Sequence, residues 1–273
     1  MTRKLTLPAL IACASLLVAA GPPVASAHSF VVLREYGAGT ASRAQPYLDE
    51  LLRALAEQAH WPKASGRYFS ERASALAFVH EQKPDFGILS LSAYLALKET
   101  LSPTVIGEVT SAQAGGKQYF LVSKLAPDAP GCVGKRLATT FASDAKFVDR
   151  VVANGAFKLA DFKLVDAQRP LEPLKQVLRD EADCALIDDA QLAATGHIER
   201  GGELHTVWRS AELPSMAVVA FPRTDAAAVK ALKQALPSLC QKAKQACASV
   251  GIDLIQPSSD ERYRAVLTRY SKP

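Results

Sequence analysis

Short apolar runs alternate with amphipathic stretches along almost the whole chain, a pattern that predicts an α/β protein. Ser29 to Tyr36 reads as a first strand, and Gly37-Ala38-Gly39-Thr40 as a turn into a helix that runs to about Ala59. Tyr47, Leu48, Leu51, Leu52 and Leu55 fall on one face of that helix and mark its buried side. Arg67 to Phe69 is a weak second strand, Glu71 to Gln82 a helix, Phe86 to Leu91 a short apolar strand, and Ser92 to Thr100 a further helix. Two longer apolar runs, Gln118 to Lys124 and Met216 to Arg223, bracket a middle block. Within it, strands at Arg136 to Thr140, Phe162 to Val165 and Cys184 to Ile187 alternate with helices at Ala145 to Asn154 and Leu171 to Asp180. Beyond Arg223 the pattern is helical from Ala226 to Ser249, with a break expected at Pro237, and again from Glu261 to Tyr270.

This layout predicts one lobe inserted into another. Residues 28–122 and 216–273 would form the first lobe and residues 123–215 the second, with the two apolar runs as hinge strands near Val122 to Lys124 and Ser215 to Val218. Each lobe should hold a mainly parallel sheet flanked by helices, with its first and third strands adjacent. Open α/β sheets bind ligands at the carboxyl ends of their strands, so the predicted site is the cleft between the lobes.

Ahead of these elements, Arg3 and Lys4 precede an apolar run from Leu5 to Ala20, and Ala25-Ser26-Ala27 supplies small residues. That is the layout of a cleaved export signal covering residues 1–27, and the run is short for a membrane span. The competing reading, lipidation at Cys13, is disfavoured because the apolar run continues past that cysteine. The expected location is periplasmic, with the mature chain starting at His28. The formal net charge is +5, and the leader holds two bases and no acid, so the remainder is close to neutral. Bases are dispersed, without a dense or aromatic-interleaved run, which argues against nucleic acid as a partner. Cys132, Cys184, Cys240 and Cys247 remain after cleavage, an even number that favours disulfides in an oxidising compartment. Three pairings exist. The preferred one joins Cys240 to Cys247 within a helical region and Cys132 to Cys184 near the starts of neighbouring strands.

Four stretches carry a family resemblance: RAQPYLDELLRAL, KPDFGILSLSAYLAL, GKRLATTFASDAKFVDRVV and ADCALIDDAQL, followed by a closing IDLIQPSSDERYRAVLTRY. In this order and spacing the chain resembles the phosphate/phosphite/phosphonate-type (PhnD-like) periplasmic solute-binding proteins of ABC transporters. The resemblance implies the type 2 periplasmic binding fold and capture of a small polar, anionic ligand for a membrane permease. It implies no chemistry and no cofactor, and a monomer is expected. Anions in that family are held by hydroxyls and by amides at helix starts. The matching positions are Tyr36, Thr40 and Ser42 on the first loop, Ser90, Ser92 and Tyr94 on the third, and Thr139, Thr140 and Ser143 on the loop opening the second lobe. Asp188 ends an apolar strand, where it could meet a ligand amine or cap the next helix. Asp144 departs from the Ser/Thr/Gly-rich family pattern: either it caps a helix and turns away, or it faces the cleft and opposes a phosphate.

Enzyme motifs such as GxSxG and HExxH are missing from the sequence. A second class of function is copper handling, since cleavage would leave His28 with a free amine beside its imidazole, and His60, His80, His197 or His205 could supply a further nitrogen. A ligand-sensing partner of a membrane signalling protein is the other alternative, identical in sequence to a transport component.

Overall fold

The computed structural model describes residues 27–35, 41–110 and 115–272. Residues 1–26 of the expected export signal, Cys13 among them, and Tyr36, the turn at 37–40 and Thr40 lie outside the described residues. Two mixed sheets are present. The first contains β1 (His28–Leu33), β2 (Ala64–Phe69), β3 (Phe86–Leu89), β4 (Thr104–Thr110), β10 (Met216–Ala220) and β11 (Leu254–Pro257), in the order β11-β4-β10-β3-β1-β2. The second contains β5 (Tyr119–Ser123), β6 (Arg136–Thr139), β7 (Lys163–Asp166), β8 (Cys184–Asp188) and β9 (His205–Arg209), in the order β7-β6-β8-β5-β9.

The first and third strands are neighbours in both sheets, as expected: β1 pairs with β3, and β6 with β8. Parallel pairing is confined to these trios, β2-β1-β3 and β7-β6-β8. The remaining pairs are antiparallel: β10 and β5 enter their sheets from the other lobe and run against both neighbours, and β11 runs against β4 at the edge. By direction, β2, β1, β3 and β4 run together in the first sheet and β7, β6, β8 and β9 in the second, so each sheet is mixed with a parallel majority, as expected.

Neither long apolar run is itself a crossing. β5 is paired along its length with β8 and β9, and β10 sits between β3 and β4. Both runs are long and apolar because they are interior strands covered on both faces. The crossings lie before Tyr119 and between Ser210 and Ser215, where they are bonded to each other. Ser210 N donates to Tyr119 O at 2.8 Å, Leu213 N to Lys117 O at 2.8 Å, and Tyr119 N to Ser210 Oγ at 3.0 Å.

Helix α1 (Ala41–Gln58) buries Leu48, Leu51, Leu52 and Leu55, the predicted face, but Tyr47 is 48% exposed at its edge. Helices α2 (Arg72–Gln82) and α3 (Leu91–Leu101) follow β2 and β3. α4 (Ala145–Phe147) is extended by a π-helical turn over Val148–Val152, and α5 (Glu172–Leu178) and α6 (Asp189–Ala193) complete the second lobe. α7 (Ala226–Lys242) runs through Pro237, where a break was expected. Burial of Leu232, Leu236, Leu239 and Cys240 on one face offsets the lost backbone bond, and the helix ends at Ala243 instead. α8 (Lys244–Ser249) and α9 (Asp260–Tyr270) close the chain. Among the described residues no helix is long and apolar enough to cross a membrane.

Alternation along the strands distributes the core. Phe30 and Val32 of β1 pack on the α1, α7 and α8 side, while Val31 and Leu33 face the opposite cluster. That second cluster continues through Tyr119, Leu121, Leu137, Phe147 and Leu186, so one apolar core spans both lobes. The disulfides are Cys132–Cys184 and Cys240–Cys247, the preferred pairing. The first ties the segment leading into β6 to the start of β8; the second ties α7 to α8.

Candidate functional site

The carboxyl ends of β1, β3, β6 and β8 converge between the lobes. Arg34 and Glu35 follow β1, Ser90 and Ser92 open α3 after β3, Phe141 follows β6, and Asp188 ends β8. With Gly115, Gly116, Tyr119, Ser215 and Met216 from the crossings, they surround a cavity of about 30 Å³. A single water needs about 10–15 Å³ on this measure, so the closed cleft has room for little more than one or two waters.

An ion network seals this cleft. Arg72, the first residue of α2, stands at the carboxyl end of β2 and donates from Nε and Nη2 to the two oxygens of Glu35, both at 2.8 Å. The same Nη2 donates across the cleft to Asp144 Oδ2 at 2.6 Å. Ser92 Oγ donates to Glu35 Oε2 at 2.9 Å. The Glu35 and Asp144 side chains are each 6% exposed. Burial works against the Arg72 charge, but the hydrogen bonds and charges of Glu35 and then Asp144 outweigh it, and the guanidinium stays protonated at any ordinary pH. The forked geometry is the one in which guanidinium recognises an oxyanion, with the protein's own carboxylates occupying it.

Asp144 caps α4 without turning away from the cleft, so the two expected alternatives are not exclusive. One oxygen accepts from Phe147 N at 3.3 Å as the cap of α4, and the other faces the cleft and meets Arg72. A carboxylate has two oxygens, so capping and cleft contact are compatible.

The other predicted ligand residues separate into groups. Ser90, Ser92 and Asp188 line the cleft cavity. Asp188 also caps α6, accepting from Gln191 N at 2.8 Å, and burial, opposed by that bond and reinforced by the Asp189 charge, pushes its carboxyl up to about 6. Tyr94 is fully buried away from the cleft: its hydroxyl donates to Asp260 Oδ1 at 2.9 Å, its ring meets Tyr263, and burial raises its ionisation far above the usual tyrosine range. Thr139 is a sheet residue, donating to Leu186 O at 2.9 Å and accepting from Phe141 N. The Thr140 hydroxyl is buried without a partner among the described residues. Ser143 is exposed, and Ser42 sits in a separate shallow groove beside Arg67 and Glu71. Tyr36 and Thr40 lie outside the described residues.

Two residues central to the network, Glu35 and Arg72, are absent from the predicted set. The strand-end rule that selected the loops after β1 and β3 would also have selected the end of β2, but the weak apolar pattern of that strand drew no attention to it.

The residues of the copper reading are engaged in the fold and dispersed. His28 N donates to Lys63 O at 3.0 Å, and its Nδ1, the ring nitrogen a terminal chelate would use, bonds Asp85 Oδ2 at 3.2 Å. Its ring packs on Trp61 and Phe86. No group of three or more His, Cys, Asp and Glu residues suited to a metal occurs among the described residues.

The sequence profile of the periplasmic substrate-binding proteins of phosphonate ABC transporters matches residues 150–263. No curated protein matches the sequence. Among solved structures, a binding protein component of an ABC phosphonate transporter from Pseudomonas aeruginosa superimposes with a TM-score of 0.65 at 11% identity, covering 88% of this chain and 84% of its own. PhnD1 from Prochlorococcus marinus, in complex with methylphosphonate, gives 0.64 at 11% identity over 88% of this chain and 95% of its own. XAC2383 from Xanthomonas citri, bound to ATP, gives 0.70 at 12% identity over 90% and 98%. At such identities the likeness is one of fold. The chain has the two-lobed type 2 periplasmic binding fold, and its residues 150–263 carry the sequence pattern of phosphonate ABC transporter binding proteins.

Proposed function

We infer that this protein is the solute-capturing component of an ABC importer, acting outside the cytoplasm and presenting a small polar solute with an oxyanion group to a membrane permease. The observation that carries this reading is Arg72, a forked cation at a strand end, held between one carboxylate from each lobe. Glu35 fills the place of a ligand acid, with Ser92 at the start of α3 as its second donor. The cavity of about 30 Å³ is too small for a phosphonate, so capture begins from an opened cleft in which Arg72 exchanges Glu35 or Asp144 for the solute. The protein's part is binding and closure, without covalent chemistry.

The test is thermal-shift and small-angle scattering of the purified mature protein with phosphate, methylphosphonate and short alkyl sulfonates. At least one should raise the melting temperature and alter the radius of gyration, and Arg72→Ala should abolish the response. A panel without any binder, or binding that survives Arg72→Ala, refutes the assignment.

A further inference from the structure

Protein layers normally interdigitate with few voids larger than a water. The face of the first sheet covered by α1 and α8 departs from this: a cavity of about 330 Å³ opens between the helices, about twice the volume of an apolar cavity that accepts benzene. Its floor comes from four strands, through Val32, Ile88, Val109 and Met216. Leu48 and Leu51 of α1 form one wall, and Val250 and Ile252, just past α8, form the other. Most of these floor and wall residues belong to or pack on a single apolar cluster, so the space is cut into the hydrophobic core and not into a polar surface.

The polar part of the lining has the opposite character. The charged side chains lining the cavity are Arg34 and Arg43, with no carboxylate among the lining residues, and Tyr47 and Tyr68 add hydroxyl groups. Arg43 lies on the exposed first turn of α1, and Tyr47, one turn on, is 48% exposed at the rim. An apolar well bordered by two arginines matches one class of molecule. We propose that this cavity is a second binding site, for an amphipathic organic anion: a medium-length alkyl or aryl body in the well and a carboxylate, sulfonate or phosphonate at the arginines. An inorganic oxyanion would leave the well unfilled, and an alkyl cation would meet the arginines with the wrong sign. The site is distinct from the cleft network, since Arg72, Glu35 and Asp144 are not among its lining residues. Arg34 and Met216 border both spaces.

Octanoate, octylphosphonate, octyltrimethylammonium and inorganic phosphate, titrated calorimetrically into the mature protein below micellar concentrations, test the proposal. Binding by one or both octyl anions and none by the octyl cation is expected, and the two acids separate carboxylate from phosphonate preference. Ala44→Phe places a ring from α1 into the well and should abolish octyl-anion binding. Arg43→Glu should weaken it by about tenfold. This substitution puts an acid in the first turn of a helix, where it is favoured, so a folding defect is not expected to confuse the result. In Arg72→Ala the octyl anions should still bind, which separates this site from the cleft. Equal binding of the octyl cation, absence of octyl-anion binding, or binding unchanged in both Ala44→Phe and Arg43→Glu overturns the assignment.

Discussion

Arg72 Nη2 and Asp144 Oδ2 meet at 2.6 Å across the cleft, one from the first turn of α2 and the other from the cap of α4. Each residue is also anchored in its own lobe, Arg72 through Glu35 and Asp144 through Phe147 N, so the contact joins two fixed points. Lys146 with Glu99 is a second pair between the lobes, but it is more exposed and contributes less.

Asp144→Asn keeps an acceptor for the α4 cap but removes the charge that holds Arg72. The ligand-free protein should open, with a larger radius of gyration in scattering than the wild type. An unchanged scattering curve would show that the apolar core alone sets the closed form. Arg72→Ala should cost about 2–3 kcal/mol in chemical denaturation, because it strands two buried carboxylates.

Glu35 competes with any incoming acid for the same guanidinium. Glu35→Gln should therefore raise oxyanion affinity about tenfold in calorimetry, since an uncharged amide is the weaker partner for Arg72. Affinity that stays the same or falls would mean that Glu35 is part of the receptor and does not occupy it.

Asp188 supplies a pH dependence with a defined sign. Its folded pKa of about 6 lies above the ordinary value of 3.8, so the buried carboxylate binds its proton more tightly when folded. This penalty is absent below pH 3.8, grows as the group ionises, and is complete above about pH 6. Asp188→Asn preserves the acceptor for Gln191 N and removes the titration. The variant should gain on the wild type by on the order of 3 kcal/mol as pH rises through this window. Parallel stability curves for the two proteins across it would contradict the assignment.

The disulfides should differ in weight. Cys132–Cys184 spans 52 residues and Cys240–Cys247 spans 7, so in the chain-entropy model their removal costs about 4 and about 2 kcal/mol respectively. Denaturation of the two double Cys→Ala variants measures both. The reverse order would place the stabilisation in native packing near α7 and α8.

Element types were legible where apolar periodicity was strong. Leu48, Leu51, Leu52 and Leu55 announced the buried side of α1, and the strand pattern was clear enough to place Cys132 and Cys184 near the starts of the neighbouring strands β6 and β8. β9 and β11 were missed because they are edge strands with half-exposed patterns, and β4 because Gly107 and Glu108 interrupt its apolar run. The site was less legible. Hydroxyl residues at helix starts advertise themselves, yet Thr139 and Tyr94 serve the sheet and α9. Arg72 and Glu35 matter through partners separated by 37 and 72 positions along the chain, a relation that local pattern does not encode.

The two crossings also constrain assembly. β10 lies in the middle of the first sheet, between β3 and β4, yet it is made only after the entire second lobe. The second lobe has no such dependence, since β5 and β9, its first and last strands, lie side by side with Phe120 opposite Arg209. A chain emerging from its amino end can therefore finish the inserted lobe as a closed loop while the first sheet is still split between β3 and β4, its Ile88 and Val109 edges exposed. Completion of the larger lobe is then the slow, high-contact-order step, and the interval before Met216–Ala220 arrives is when this protein is most vulnerable to aggregation.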